Sequence, residues 1–250
     1  MLTILDILLL FAAAVLGGAT NALAGGGAIF TFPALIAVGV APLAANVTNT
    51  VASLPGYIGG LVAQWRDLEG QGRRAAVLLP IAALGGVAGG LLLLATGDAL
   101  FEAIVPGLVI VACALLAVQG RVRAWLTERH RLVGLSGAAL PVLVAGIYGG
   151  YFGAAVSVSF LAVLGLAIAD TLTRLNALKQ ALSLASNVTA ALLFAGTAPV
   201  QWRAAAVMAL GYLVGGAIGG RLASRISAER LRATVISIGL LIALAFAVTG

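Results

Sequence analysis

Residues 17–50 read GGATNALAGGGAIFTFPALIAVGVAPLAANVTNT. Gly17-Gly18 and Gly25-Gly26-Gly27 flank Asn21, with Thr31 and Pro33 just beyond. A short apolar run then leads into a segment bearing Asn46, Asn49 and Thr50. Glycine and proline inside apolar sequence interrupt helices and free backbone amides. In a membrane such breaks are tolerated only where protein or a water-filled cavity surrounds them. The stretch therefore predicts a broken helical element inside a membrane protein, followed by a helix with a polar face.

The rest of the chain agrees. Of 250 residues, 62% are hydrophobic and 9% charged, against about 25% charged in a soluble domain. Mean hydropathy is +1.15. Apolar runs such as Ala75–Ala95 and Leu231–Val248 do not alternate with polar residues, so they predict spanning helices and not the strands of a barrel. The net charge of +6 comes from arginines in short loops, a pattern of cytoplasmic loop charge and not of nucleic-acid binding. Cys113 has no second cysteine to pair with and reads as helix packing; His130 lies in a basic loop between Arg129 and Arg131. No cofactor and no metal site is expected, and buried acid pairs or Cys/His pairs suited to an intramembrane enzyme are missing. Met1–Asp6 lack a basic n-region, so the first apolar run reads as a membrane helix and not a cleaved signal.

Ten helical segments are expected, at roughly 4–24, 27–40, 43–63, 75–96, 99–118, 133–149, 152–168, 171–195, 204–222 and 230–249. They divide five and five: residues 1–118 form a first transmembrane repeat, 119–132 a basic cytoplasmic linker and 133–250 a second repeat. Segments two, six and seven are short, so each opening pair reads either as two crossings or as a re-entrant hairpin. Trp65, Trp125 and Trp202 fall beside segment ends, where an interfacial belt would hold them. Arginines cluster at 66, 73 and 74, at 121–131 and at 221–232, which assigns those loops to the cytoplasm. Asp98 and Glu102 then fall outside, as do both termini, and Arg203 is the one exception.

A shift of 130 residues aligns Gly85-Gly86-x-x-Gly89-Gly90 with Gly215-Gly216-x-x-Gly219-Gly220, Asn46 with Asn176, and Ser53-Leu54 with Ser183-Leu184. Gln64-Trp65-Arg66 recurs as Gln201-Trp202-Arg203, and Gly25 and Phe32 match Gly153 and Phe160 at a slightly smaller shift. An odd number of crossings per copy inverts the second copy relative to the first. Inverted repeats recur in secondary transporters, with the site near the midplane between the copies.

Three constellations mark a candidate site. Asn46, Asn49, Thr50, Ser53 and Tyr57 correspond in order to Asn176, Lys179, Gln180, Ser183 and Asn187. Their spacing of three and four puts each set on one helix face, and polar faces avoid lipid. The plainer alternative is that they bond neighbouring helices. The glycine-rich breaks form the second constellation: Asn21, Gly25, Gly26, Gly27 and Thr31 in one copy, Tyr148 and Tyr151 among Gly146, Gly149, Gly150 and Gly153 in the other. There, half-helix N-termini would face an anion. Close packing is the alternative, and it is preferred for Gly85, Gly86, Gly89, Gly90 and their counterparts. The third is charge sign: Lys179 and Arg174 lie within an apolar segment with no carboxylate at comparable depth, which favours anions, unless they snorkel to the boundary. Export of an anion from a negative-inside cell would then run on the membrane potential without a coupling ion.

At residues 17–50 and their echo at 146–180 (GIYGGYFGAAVSVSFLAVLGLAIADTLTRLNALKQ) the chain resembles the TauE/SafE sulfite exporter family of bacterial anion permeases. The resemblance implies an all-α integral membrane protein of the bacterial cytoplasmic membrane. It implies that the partners are small sulfur-containing anions, such as sulfite, organosulfonates or sulfoacetate, and the lipid bilayer. A carrier or channel for another small anion is the alternative. The echo departs from the pattern, with Ala154-Ala155 in place of two glycines and Leu161 in place of Pro33, so a second helix break is less strongly specified.

Overall fold

Helix α1 (Ile4–Leu23) opens on a reciprocal cap: the Thr3 amide donates to Asp6 Oδ2 (2.8 Å) and the Asp6 amide to Thr3 Oγ1 (3.2 Å). These first residues come from a computed structural model that describes residues 2–23, 25–128 and 134–222. All regular structure among them is helical. At Gly25 the backbone adopts φ +82°, a conformation that favours glycine, and the chain turns back into the short α2 (Ala28–Ala37). Gly17 of α1 touches both Gly27 and Thr31, so α2 returns alongside α1. Leu2 and Asp6 at the start of the hairpin and Val38–Ala41 after its end border one depression, together with Asp98 and Pro199–Arg203. The hairpin therefore enters and leaves by the same face, with its tip inside the protein.

Pro42 occupies the first turn of α3 (Pro42–Ala63), where its missing N–H costs nothing. At about 1.5 Å per residue the 22 residues of α3 carry the chain some 33 Å to the opposite face. A 3-10 turn, Trp65–Leu68, follows. Helix α4 (Gly72–Glu128) is interrupted at Gly97 (φ 72°, ψ 171°), which divides it into two limbs. The second limb doubles back along the first. Gly89 abuts Ile147 and Tyr151, while the neighbouring Tyr148 faces Cys113 of the second limb.

Helices α5 (Gly134–Tyr151) and α6 (Val156–Ala167) form a second hairpin, turned at Gly153 (φ 72°) and Ala155 (φ 61°). The break that the echo specified weakly is thus present. Gly153 supplies the required left-handed residue, and Ala155 adopts the same region without being glycine. Leu135 at the start of this hairpin lies with Arg73, Arg74 and Arg174 around a second depression. Asp170, just past its end, binds Arg74 and, at 3.0 Å, Arg174. This hairpin opens on the arginine face, opposite the first. Of the two arrangements the sequence left open, the structure shows hairpins.

Helices α7 (Leu172–Thr197) and α8 (Trp202–Leu222) complete the described chain. Packing between the halves is reciprocal: α1 and α3 pack on α8, α5 and α7 pack on α4, and α3 meets α7. Glycines permit the close approaches. Gly215 abuts the Val15 carbonyl, Gly85 lies against Leu143 and Gly146, and Gly86 against Ser186. This is the packing role expected of the paired glycines. Cys113 is 3% exposed within the core, again as packing.

The lipid-facing side is read from exposed apolar residues, with Leu84, Leu140 and Leu192 each more than 60% exposed. Four described helices, α1, α4, α5 and α7, are long and apolar enough to cross a membrane. Nine of the ten expected segments correspond to helices or helix limbs; the tenth, 230–249, and His130 lie outside the described residues. The largest boundary difference falls in the linker. The linker expected at 119–132 is helical as far as Glu128, a continuation that helix formers such as Arg121, Ala124, Leu126 and Glu128 favour. Arg174 is no isolated cation either, since Asp170 pairs with it at the helix start.

Candidate functional site

The tips of both hairpins meet α3, α7 and α8 at the centre of the protein. There they enclose a cavity of about 10 Å³, room for roughly one water. Asn21, Gly25, Gly27 and Ala28 line it from the first hairpin; Phe152, Gly153 and Ala155 from the second. Asn49, Thr50, Ser53 and Tyr57 project from α3, Asn187 from α7 and Tyr212 from α8.

Each polar side chain is held. Asn49 Oδ1 accepts from Thr31 Oγ1 (2.6 Å) and from the Tyr212 hydroxyl (3.0 Å), and those two hydroxyls lie 2.9 Å apart. This triangle joins α2, α3 and α8. Thr50 donates to the Asn46 carbonyl (3.0 Å) and Ser53 to the Thr50 carbonyl (3.0 Å). The Tyr57 hydroxyl meets the side chains of Asn21 and Asn187. Asn187 in turn donates to the Ser183 carbonyl (2.9 Å), and Ser183 Oγ lies 3.3 Å from Ser157 Oγ. Phe152 in the cavity wall meets Phe32 edge to face at 5.5 Å.

The backbone contributes as well. Helix α2 begins at Gly27 and Ala28, and α6 begins after Ala155, so two helix N-termini end at the cavity wall. Their dipoles present partial positive charge there. Among the described residues, no acid and no base lines the cavity. The arrangement suits a small polar solute held by amides and hydroxyls.

The sequence-predicted residues divide into groups. Asn21, Gly25, Gly27, Asn49, Thr50, Ser53, Tyr57 and Asn187 line the cavity, and Thr31 and Ser183 stand directly behind it. Gly26 packs against Leu116 instead. Asn46 donates to the Tyr151 carbonyl (2.8 Å), tying α3 to the second hairpin. Tyr148 and Tyr151 serve that hairpin and do not reach the cavity: the Tyr148 hydroxyl donates to the Ala154 carbonyl (2.6 Å) and the Tyr151 hydroxyl to Thr96 Oγ1 (3.1 Å). Asn176, Lys179 and Gln180 lie further along α7 towards the arginine face. Lys179 is partnered and 3% exposed, so it does not snorkel to water.

Tyr212, Ser157 and Phe152 were missed. Their counterparts under the repeat shifts are Ala82, Ile29 and Ala24, so matching polar positions between copies could not find them. A single tyrosine among the glycines and alanines of segment nine was the available signal for Tyr212.

Hairpins that enter from opposite faces and leave a polar cavity buried among lipid-facing helices define a multi-pass membrane transport protein. The TauE/SafE sulfite exporter model matches residues 10–246, and the chain belongs to that family. Curated relatives are named as transporters too. A probable membrane transporter protein YfcA of Escherichia coli K12 is 29% identical over 214 residues, covering 85% of this chain and 79% of the relative. The probable membrane transporter protein ORF9 of a Sinorhizobium species is 24% identical over 235 residues, covering 94% and 90%. A probable membrane transporter protein of Haemophilus influenzae is 26% identical over 218 residues, covering 86% and 84%. No solved structure matches the chain.

Proposed function

We propose that this membrane transporter is a secondary carrier of small sulfur-containing anions, sulfite or an organosulfonate such as sulfoacetate, working by alternating access at the central cavity. The family's name supplies the sulfur oxyanion. The observation that carries the site is the cavity itself, small, buried among the helices and walled by hydroxyls, carboxamides and two helix N-termini. Donors of this kind hold oxyanions without a fixed counter-charge. A cavity of about 10 Å³ has no room for an anion; admitting one requires a wall to move, which favours a carrier over an open channel.

In this reading residues 1–118 and 133–250 are inverted copies joined by 119–132. The reciprocal packing of α1 on α8 and α5 on α4 supports the inversion, as do hairpins opening on opposite faces. The protein sits in the bacterial cytoplasmic membrane with the arginine face in the cytoplasm and both termini outside.

Calorimetric binding of sulfite, a sulfonate and a carboxylate to purified protein tests the substrate. Sulfite or sulfonate should bind, and Asn49→Ala should weaken that binding at least about tenfold, the loss of a hydrogen bond to a charged group. Binding of the carboxylate alone would overturn the substrate assignment.

A further inference from the structure

The polar residues of α3 and α7 do not stop at the cavity. Two helical turns beyond Tyr57, about 10 Å along α3, Gln64 closes the helix beside Arg66. Asn176 and Gln180 lie on α7 about 16 and 10 Å from Asn187 in the same direction. Asn176 Nδ2 donates to Gln64 Oε1 at 2.7 Å, and Gln64 Nε2 is itself pinned to the Gly60 carbonyl at 3.3 Å. That second bond fixes which way the Gln64 amide faces, so its oxygen points at Asn176. The Gln180 amide fills the space that a side chain on Gly60 would need.

This layer is incompletely bonded. Asn176 Oδ1 and Gln180 Oε1 are buried and accept no hydrogen bond, and Gln180 is 3% exposed. The corresponding residues of α3 differ. Asn46 bonds the Tyr151 carbonyl, Thr50 bonds the Asn46 carbonyl, and the nearby Thr31–Asn49–Tyr212 triangle is closed. Buried acceptors without donors destabilise the arrangement that buries them and regain partners once water enters. Just outside the layer, Gln71 bonds the Arg174 carbonyl (2.9 Å) and Arg74 and Arg174 clamp Asp170, fixing the α3–α4 connection to the start of α7.

We propose that Gln64, Asn176 and Gln180 form the gate between the cavity and the arginine face, latched by the Gln64–Asn176 hydrogen bond and poised to open by the two unpartnered acceptors. The opposite wall, fully bonded, is the more reluctant to open. The resting protein therefore samples the arginine-face-open state more often than the other. The gate rests on the carrier reading of the cavity, but its test reads access to the cavity and not substrate.

The experiment uses full-length protein carrying Cys113→Ala and Ser53→Cys in vesicles of known orientation, labelled with a membrane-impermeant maleimide. Gln64→Ala should speed labelling from the arginine face about fivefold, the effect of one lost hydrogen bond on a two-state equilibrium. Asn176→Ala, which removes the latch together with an unpartnered acceptor, should speed it less. Labelling from the other face should not rise. Gln180→Met, which removes an unpartnered acceptor, should slow labelling from the arginine face and raise the melting temperature. A Gln64→Cys/Asn176→Cys pair in the Cys113→Ala background, joined through two disulfides by a short bis-methanethiosulfonate, should stop flux of the anion that binds, and reduction should restore it. The pair guards against misfolding of the single variants. Equal acceleration from both faces, unchanged labelling in all three single variants, or undiminished flux in the joined pair would overturn the gate. Failure of sulfite to bind while labelling responds as stated would remove the substrate and leave the gate.

Discussion

At the scale of single residues, Asn49 has the most exposed role in the proposed chemistry. Its carbonyl oxygen accepts from Thr31 and Tyr212 at once, inside a wall that also faces the cavity. Asn49→Ala leaves two buried hydroxyls with a shared acceptor missing, a cost of about 1–3 kcal/mol. The expected outcome is a lowered melting temperature together with weakened anion binding, whereas Tyr212→Phe keeps the ring and should lower binding with a smaller loss of stability. Gly25 is constrained in a different way. Its φ of +82° disfavours any side chain, and a Cβ there would stand 2.6 Å from Ser157 Cβ on the other hairpin. Gly25→Ala should destabilise by about 1–3 kcal/mol, read as a drop in melting temperature, and Ser157→Gly should recover only the steric part. Asn49 was legible because its partner in the repeat, Lys179, is polar too. Tyr212 was not, because its partner is Ala82 and repeat matching sees only what both copies share.

At the scale of elements, glycine and proline punctuation located the first hairpin, and length raised the question of re-entry without answering it. A helix of 10 residues, about 15 Å, cannot cross a bilayer core of about 30 Å. Only the contacts show that it turns back beside α1 and not onward. The second hairpin was harder to read because Ala154 and Ala155 stand where the first has two glycines, although Gly153 supplies the same left-handed turn as Gly25. The turn of α7 onto α4 adds a charge test. Burial alone would raise the Asp170 carboxyl, but hydrogen bonds from Arg74, the Thr171 amide and Arg174 outweigh it and hold the group below the usual carboxylate range. A group depressed in the folded state stabilises above its unfolded value, and the contribution is lost as pH falls through the folded one. Asp170→Asn should therefore melt below the parent at pH 7 by about 1 kcal/mol, the upper end for a partly exposed pair. The difference should shrink as the buffer is taken below about pH 4. A difference that stayed constant to the lowest pH would mean the carboxylate's charge is not what stabilises the connection.

At the scale of the whole molecule, the proposed reading turns on inversion, which would explain why one sequence pattern builds two unlike walls. Inverted copies present the start of α3 and the start of α7 to opposite faces. Asn46 then stands towards one face and its counterpart Asn176 towards the other. The copies of Gln-Trp-Arg are separated in the same way, Trp65 and Arg66 near the arginine face and Trp202 and Arg203 at the depression bordered by Asp6 and Asp98. Both tryptophans are more than half exposed, as an interfacial belt requires. Single cysteines in place of Arg66 and Arg203, in a Cys113→Ala background, make this testable in intact cells with an impermeant thiol reagent. Arg203→Cys should label from outside and Arg66→Cys only after the membrane is opened. Labelling of both from one side would place the two copies in parallel. The α3 and α7 faces would then no longer be related by an in-plane axis, and alternating access at a shared cavity would lose its geometric basis even though the family membership stood.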